Sequence, residues 1–206
     1  YRVHAQNFGW MGWTKNGESA GTEGYGYRVE AIQIKIVKKG AQAPGTTEQC
    51  FSKKWTSIVY SAHVQDIGWQ NNVKDGALAG TTGESKRVEA IKISLSGQKA
   101  EGSVEYSAHV QDIGWQKSVK DGALAGTTGK GKRVEAIKIN LTGTLSESCD
   151  VYYRVHAQDH GWLGWTKNGN PAGTEGLSKR IEAIEIKVVT KGDTAPEMGK
   201  EAFVKK

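Results

Sequence analysis

The chain has 206 residues and a formal net charge of +6, from 28 basic and 22 acidic residues. Its basic residues are spread along the sequence without a Lys/Arg block, and no apolar stretch approaches the roughly 20 residues of a membrane-spanning helix. We therefore predict neither a nucleic-acid partner nor a membrane span.

Four copies of one unit follow one another along the chain. They align without a gap from a histidine to the isoleucines of "RVEAIKI" or a close variant of it. The copies, called repeats 1 to 4, are Tyr1–Val37, Ser57–Leu95, Ser103–Leu141 and Val151–Val188. Units of this length are too short to bury a core singly, so we expect several of them to share one.

The repeats are of two kinds. Repeats 2 and 3 are near-duplicates, whereas repeats 1 and 4 carry a second tryptophan and are each followed by an Ala-Pro tail, at Lys38–Lys54 and Thr190–Lys206. We predict that residues 1–54 are one repeat with its tail, the last third of a preceding group of three. Residues 55–206 are then a complete group of three with a C-terminal tail.

Each repeat is expected to contain two long strands. In repeat 3, apolar and polar residues alternate along Val104–Val110, which is typical of a half-buried strand. Along Val134–Leu141 the apolar phase changes, which indicates a β-bulge near Glu135–Ala136 or a change of buried face. Asp-Gly and Asn-Gly pairs predict hairpin turns between the strands, and the 27 glycines interrupt every helical pattern.

These patterns predict an all-β class with a closed, pseudo-threefold architecture. Closure removes the exposed edges that separate hairpins would carry. We expect a β-prism, because each repeat offers two long strands; a β-trefoil is the alternative.

A Gly-Trp pair follows the first predicted strand in every repeat. We expect its indoles to fill the shared core around the threefold axis, with solvent-facing platforms for sugar rings as the alternative. The four tryptophans are Trp10, Trp69, Trp115 and Trp162.

The second tryptophan, Trp13 or Trp165, occurs only in the tail-bearing repeats. Asn or Ser stands there in the other two repeats, so we predict exposure, and with it a role in sugar stacking, a protein contact or packing under the tail. Polar residues on the hairpin turns are candidate partners for sugar hydroxyls, with plain turn chemistry as the alternative. They are Asn16, Asn168, Asp75 and Asp121.

Other polar residues favour structural roles. The histidine of each repeat lies on the outward strand face, which argues against a metal site, and the Arg-x-Glu motif is expected to form an ion pair or a cross-strand brace. The only cysteines are Cys50 and Cys149, and the sequence leaves open whether they are bridged or free.

The order of motifs resembles a known family. The run "H(V/A)Q(D/N)xGW", a "DG" or "NG" turn, "AGT(T/E)G" and "R(V/I)EAI" is similar to the ChW repeat, named for clostridial hydrophobic repeats with a marked tryptophan. The resemblance covers all four repeats, with a departure at Tyr25–Tyr27. It implies a secreted or cell-surface accessory module, because family members occur in such proteins of Gram-positive anaerobes.

No nucleophile elbow, phosphate loop or zinc signature occurs, so we expect no catalysis, cofactor or metal. We predict a non-catalytic module for carbohydrate binding or adhesion that recognises a glycan at several sites. The alternative is a structural or protein-interaction repeat, which assembles a surface layer, filament or enzyme complex, or a homo-oligomer, through the incomplete first repeat.

Overall fold

The computed structural model describes residues 1–23, 25, 27–53, 56–97 and 101–206. The chain divides into two compact units, Tyr1–Trp55 and Thr56–Lys206, called the first unit and the second unit. Residues 54 and 55, at the predicted boundary, lie outside the described residues.

The first unit contains repeat 1 and its tail. Its strands are β1 (Arg2–Ala5), β2 (Gly9–Trp10), β3 (Gly21–Glu23), β4 (Val29–Gln33) and β5 (Phe51–Lys53). Strand β1 pairs antiparallel with β2 and β4, while β3 pairs in parallel with β5 of the tail. Its small core consists of Val3, Ala5 and Met11.

The second unit contains the other three repeats. Repeat 2 provides β6 (Ser57–Val64), β7 (Gly68–Trp69), β8 (Val73–Lys74), β9 (Ala79–Gly80) and β10 (Val88–Ser96). Repeat 3 provides β11 (Val104–Val110), β12 (Gly114–Trp115), β13 (Val119–Lys120), β14 (Ala125–Gly126) and β15 (Val134–Leu141). Repeat 4 provides β16 (Cys149–Ala157), β17 (Gly161–Trp162), β18 (Thr166–Lys167), β19 (Ala172–Glu175) and β20 (Ile181–Thr190), and the tail adds β21 (Phe203–Lys205).

Strands are the main regular secondary structure of both units, which confirms the all-β class. Within the described ranges the one helix is α1 (Gly143–Ser148), a six-residue connection between repeats 3 and 4. No helix in the described part of the chain is long and apolar enough to span a membrane.

The three sheets of the second unit are linked in a cycle. Each is built on the two long strands of one repeat and receives a short strand from another: β14 of repeat 3 joins β10, β19 of repeat 4 joins β15, and β9 of repeat 2 joins β20. Every repeat therefore gives a strand to one neighbour and receives one from the other. This cycle is the pseudo-threefold closure expected from the sequence; the choice between prism and trefoil stays a prediction.

A buried tyrosine fastens each repeat to the preceding one. In repeat 4, the Tyr153 hydroxyl accepts a hydrogen bond from the Ile139 amide at 3.0 Å and donates one to the Asn170 carbonyl of its own turn. The turn amide of Gly169 donates to the Ile139 carbonyl at 2.7 Å. We call this arrangement, in which a tyrosine and a turn glycine hold both polar groups of an isoleucine, the clamp.

The clamp occurs three times in the second unit and closes it. Tyr106 and Gly122 hold Ile93, and Tyr60 and Gly76 hold Ile186, with the same distances of 3.0 and 2.7 Å. Burial of the hydroxyl raises the pKa of Tyr60 to about 12, and burial likewise raises the pKa values of Tyr106 and Tyr153.

The core of the second unit is formed by the inward faces of the long strands. Tyr106 and Ile139, which pair across β11 and β15, are completely or almost completely buried, as the alternation of Val104–Val110 predicts. The bulge predicted near Glu135–Ala136 is confirmed, because His109 pairs with Ala136 and Val110 pairs with Val134. The extra residue lets the strand bury both sides of the phase change.

Candidate binding site

The Gly-Trp pair forms a tight corner after the first long strand of each repeat. In repeat 2, Asp66 and Gly68 have positive φ angles of 61° and 82°, which reverse the chain directly after β6. Strand β7 then runs back so that Trp69 lies opposite His63, with ring centroids 5.4 Å apart in an edge-on arrangement. The other three repeats have the same corner.

The prediction that these indoles fill the core is wrong. Trp10 and Trp69 expose 41% and 38% of their surface, and Trp115 and Trp162 are half-buried. The reason is the pairing itself: a residue directly opposite another on an adjacent strand shares its side of the sheet. Because the histidine faces outward, the tryptophan opposite it faces outward as well.

A cation lies over the indole in every repeat. Lys92 Nζ lies 4.6 Å from the ring centroid of Trp69, and Lys138 Nζ lies 4.3 Å from that of Trp115. In the tail-bearing repeats an arginine takes this place, with its guanidinium carbon 4.8 Å from Trp10 and 4.6 Å from Trp162. Such contacts are worth about 0.5–1 kcal/mol where the groups are exposed.

The cation comes from either of two paired positions. In repeats 2 and 3 it is on the second long strand, opposite Ser61 or Ser107. In repeat 4 it is Arg154 on the first long strand, opposite Glu185. The sequence predictions did not include this exchange between paired strands. It becomes visible when the residues that pair across the two long strands are compared between repeats.

A buried glutamate anchors the other side of the corner. Glu89, which is 6% exposed, pairs with Arg87 at 2.8 Å, and Arg87 Nη1 donates to Gln65 Oε1 at 2.8 Å. His63 Nδ1 lies 3.2 Å from Glu89 Oε2 without the alignment of a hydrogen bond. Repeats 3 and 4 repeat the ion pair, which confirms the structural role predicted for Arg-x-Glu.

The second tryptophan packs beside the tail of its own unit. The Trp165 amide donates to the Met198 carbonyl at 2.9 Å, and the Trp13 amide donates to the Thr46 carbonyl at 2.8 Å. A side chain at Gly164 would collide with the backbone of Lys200, so glycine is needed for this close approach. Both indoles are half-buried, whereas the sequence predicted exposure.

Arg154 links the two indoles of repeat 4, with its guanidinium carbon 4.6 Å from Trp162 and 5.0 Å from Trp165. Arg2 does the same in repeat 1, at 4.8 Å from Trp10 and 5.1 Å from Trp13. The Gly-Trp corner and the second tryptophan therefore form one surface in the tail-bearing repeats.

Three of the four candidate turn residues form hydrogen bonds with backbone amides. Asp75, Asp121 and Asn168 have positive φ angles, and each side chain accepts a hydrogen bond from the amide near the start of the first long strand, at 2.9–3.0 Å. This is the turn chemistry named as the alternative. Asn16 is exposed and, with Trp13 and Ile34, lines a cavity of about 580 Å³ in the first unit.

Both cysteines are free thiols, Cys149 being buried and Cys50 half-buried. Among the described residues, no group of three or more His, Cys, Asp or Glu side chains is placed to bind a metal ion.

Comparison with known families agrees with the recurrence of the corner. The family model described as Clostridial hydrophobic W, or ChW, matches residues 4–38, 63–97, 109–143 and 156–190. The chain belongs to the ChW family. Each ChW match begins at the histidine of the corner and runs through the second long strand. Neither the curated proteins nor the solved structures contain a match to this chain.

Proposed function

We propose that this ChW chain is a non-catalytic, extracellular binding module that recognises an acidic glycan at several equivalent Gly-Trp corners. The observation that carries the proposal is the cation over an outward-facing indole in each of the four repeats. An indole offers an apolar surface to sugar C–H groups, and the cation beside it pairs with a carboxylate or sulfate group.

The covered indole face favours an acidic glycan over a neutral one. A neutral sugar that stacks on Trp69 must displace the Lys92 ammonium, whereas an anionic group pairs with it. Within the described residues, neither Lys92 nor Lys138 lies within ion-pair distance of a carboxylate, so both ammonium groups can pair with an anionic sugar. Arg154, in contrast, pairs with Glu185 at 2.7 Å, so repeat 4 is expected to bind acidic sugars less strongly.

Repetition supports a multivalent mode of binding. The corners of repeats 2, 3 and 4 belong to one closed body, so a ligand held at one corner reaches the next at high effective concentration. The titratable groups behind each indole are already paired, Glu89 with Arg87 and Glu135 with Arg133, which supports binding rather than acid–base chemistry. The extracellular location rests on the family resemblance.

Titration calorimetry with polygalacturonate and a neutral polysaccharide tests this proposal. We expect binding to the acidic polymer that weakens as salt rises. Combining Lys92→Gln with Lys138→Gln should remove most of it. The control combines Lys74→Gln with Lys120→Gln, which removes equal charge from exposed positions on the short strands β8 and β13 of the same repeats. Absence of binding at millimolar sugar, or an equal loss in the control, would contradict the proposal.

A structural role is the second candidate, and the uncovered apolar face of repeat 1 favours it.

A further inference from the structure

Repeat 1 exposes the apolar face that the other repeats bury. Four of its apolar side chains are 55, 59, 73 and 97% exposed, namely Val29, Ile32, Ile34 and Ile36. At the first three of these positions repeat 4 has isoleucines that are at most 2% exposed, Ile181, Ile184 and Ile186. In the second unit the neighbouring repeats cover the equivalent faces. Those contacts therefore show which kind of surface can pack against the apolar face of repeat 1.

Repeat 1 also has the tyrosine and the turn glycine that form the clamp in the other repeats. The Tyr1 hydroxyl donates to the Glu18 carbonyl of its own turn, as the hydroxyl of Tyr153 donates to Asn170. Gly17 stands at the position of Gly169, with a positive φ of 81°. In the described part of the first unit, the clamp made by Tyr1 and Gly17 holds no isoleucine.

A third element of the contact is a glycine that makes room for a neighbouring strand. A side chain at Gly126 would collide with the backbone of Glu89 in the preceding repeat, and one at Gly173 with that of Glu135. Repeat 1 has Gly21 at this position with a similar φ of 109°, but the nearest atom to an added Cβ is Val3 Cγ2 of the same repeat, at 3.3 Å. Gly21 thus has the conformation of a docking glycine without the neighbour that requires it.

We infer that the first unit is an assembly site, at which three copies of this chain join head to tail through repeat 1. Repeat 1 carries both halves of the contact: the clamp with Ala20 and Gly21, and the segment Ala31–Ile34 that a clamp would hold. A contact of this kind is heterologous, and in the second unit it closes after three repeats. Three first units would therefore complete one ring and leave no free edge.

The second unit predicts the register of this contact. Ala79 and Gly80 pair with Ile184 and Ala183, so Ala20 of one copy should lie opposite Ile32 of the next, and Gly21 opposite Ala31. The Tyr1 hydroxyl should accept a hydrogen bond from the Ile34 amide of the neighbouring copy. The clamps of repeats 2, 3 and 4 are already filled by one another, whereas the clamp of repeat 1 matches the exposed segment of another repeat 1.

Multi-angle light scattering after size-exclusion chromatography tests the stoichiometry on the whole chain. We expect the mass to rise with protein concentration to three times the chain mass of 22.3 kDa. Ile34→Asp should hold the protein at one chain mass. Its side chain is exposed, so the circular dichroism spectrum should not change. Ile67→Asp is the matched control, because Ile67 is an exposed isoleucine on the corner of repeat 2, and it should still assemble.

Disulfide trapping tests the register. A chain with Cys50→Ser, Cys149→Ser, Ala20→Cys and Ile32→Cys should give covalent trimers on oxidation, because opposed Cβ atoms on antiparallel strands lie within about 5.5 Å. Either new cysteine alone should give no covalent trimer on oxidation. A single chain mass at every concentration, a trimer that survives Ile34→Asp, or trapping that stops at dimers would overturn the inference. These results are independent of glycan binding, which is tested at Lys92 and Lys138 in the second unit.

Discussion

The indole of Trp115 contacts three chemically different neighbours. Lys138 lies over the ring, His109 meets it edge-on, and Glu175 Oε2 accepts a hydrogen bond from Nε1 at 3.1 Å. The Glu175 carboxylate also pairs with Lys205, and the hydrogen bonds from Lys205 and Trp115 lower its pKa. The side chain therefore takes part in a surface network and leaves the core to tyrosine and isoleucine.

This environment predicts a modest cost for removing the indole. Trp115→Ala should lower the free energy of unfolding of the second unit by about 1–2 kcal/mol, through the loss of partly exposed contacts. Ile139→Ala, at a fully buried site, should cost about 2–5 kcal/mol. Urea denaturation compares the two variants. Equal losses of stability would indicate that the indole packs in the core.

The strand phase could be read from sequence, but the side of the sheet taken by Trp115 could not. Alternation along Val104–Val110 identifies the buried side, since successive residues of a strand face opposite ways. Trp115 belongs to a two-residue strand, which is too short for a period. Its orientation follows from pairing with His109, a contact that the Gly114 corner creates.

The clamp tyrosines predict a loss of stability at high pH. An unfolded tyrosine ionises near pH 10, while native Tyr60 keeps its proton until about pH 12. The stabilisation is complete below pH 10 and is lost as pH rises from there through about 12, because only the unfolded state releases protons in that window. Urea midpoints across this window should fall more gently in Tyr60→Phe; an unchanged slope would contradict the burial of the hydroxyl.

At the scale of elements, the tail strand replaces a side chain. In repeats 2 and 3, Gln70 and Gln116 bond to the amide and carbonyl of a glycine, at 2.6–3.1 Å. Repeat 4 has Leu163 at this position, and the Gly173 amide donates instead to the Ala202 carbonyl at 2.9 Å, beside β21. The similarity of the two tails was visible in sequence, but their pairing was not, because it uses backbone groups and carries no side-chain pattern.

Because the tail strand takes the place of the glutamine in repeat 4, a glutamine should partly restore the stability lost when the tail is removed. Deleting residues 201–206 should destabilise the second unit by about 1–3 kcal/mol, since it leaves the Gly173 amide without its acceptor. Adding Leu163→Gln should recover part of the loss, as measured by urea denaturation. In the full chain the same substitution should destabilise, because it places an amide where the tail already holds Gly173. A rescue absent from the shortened chain would count against the equivalence.

At the scale of the whole molecule, the two units have separate cores and different degrees of closure. The apolar residues of repeats 2, 3 and 4 form one shared cluster, whereas the first unit buries only a few. The closure could be predicted from the count of repeats in the second unit. The cyclic exchange of short strands could not, because β9, β14 and β19 have only two to four residues each.

Urea should therefore unfold the chain in two steps. The first unit is expected to lose hydrogen-exchange protection at lower urea than the second, since it buries less apolar surface. Ile139→Ala should shift only the second step. If the first units assemble, their transition alone should move to higher urea as protein concentration rises. If the amides of both units lost hydrogen-exchange protection in a single transition, the two units would not unfold separately.

The cycle of donated strands also governs how such a chain can grow. A gene duplication that adds one repeat to a closed ring supplies a short strand with no sheet edge to pair with, and a tyrosine with no isoleucine left to hold. A duplication of three adds a second self-sufficient ring. Selection against aggregation-prone intermediates would then favour lengthening by whole groups of three repeats, with an Ala-Pro tail between one group and the next.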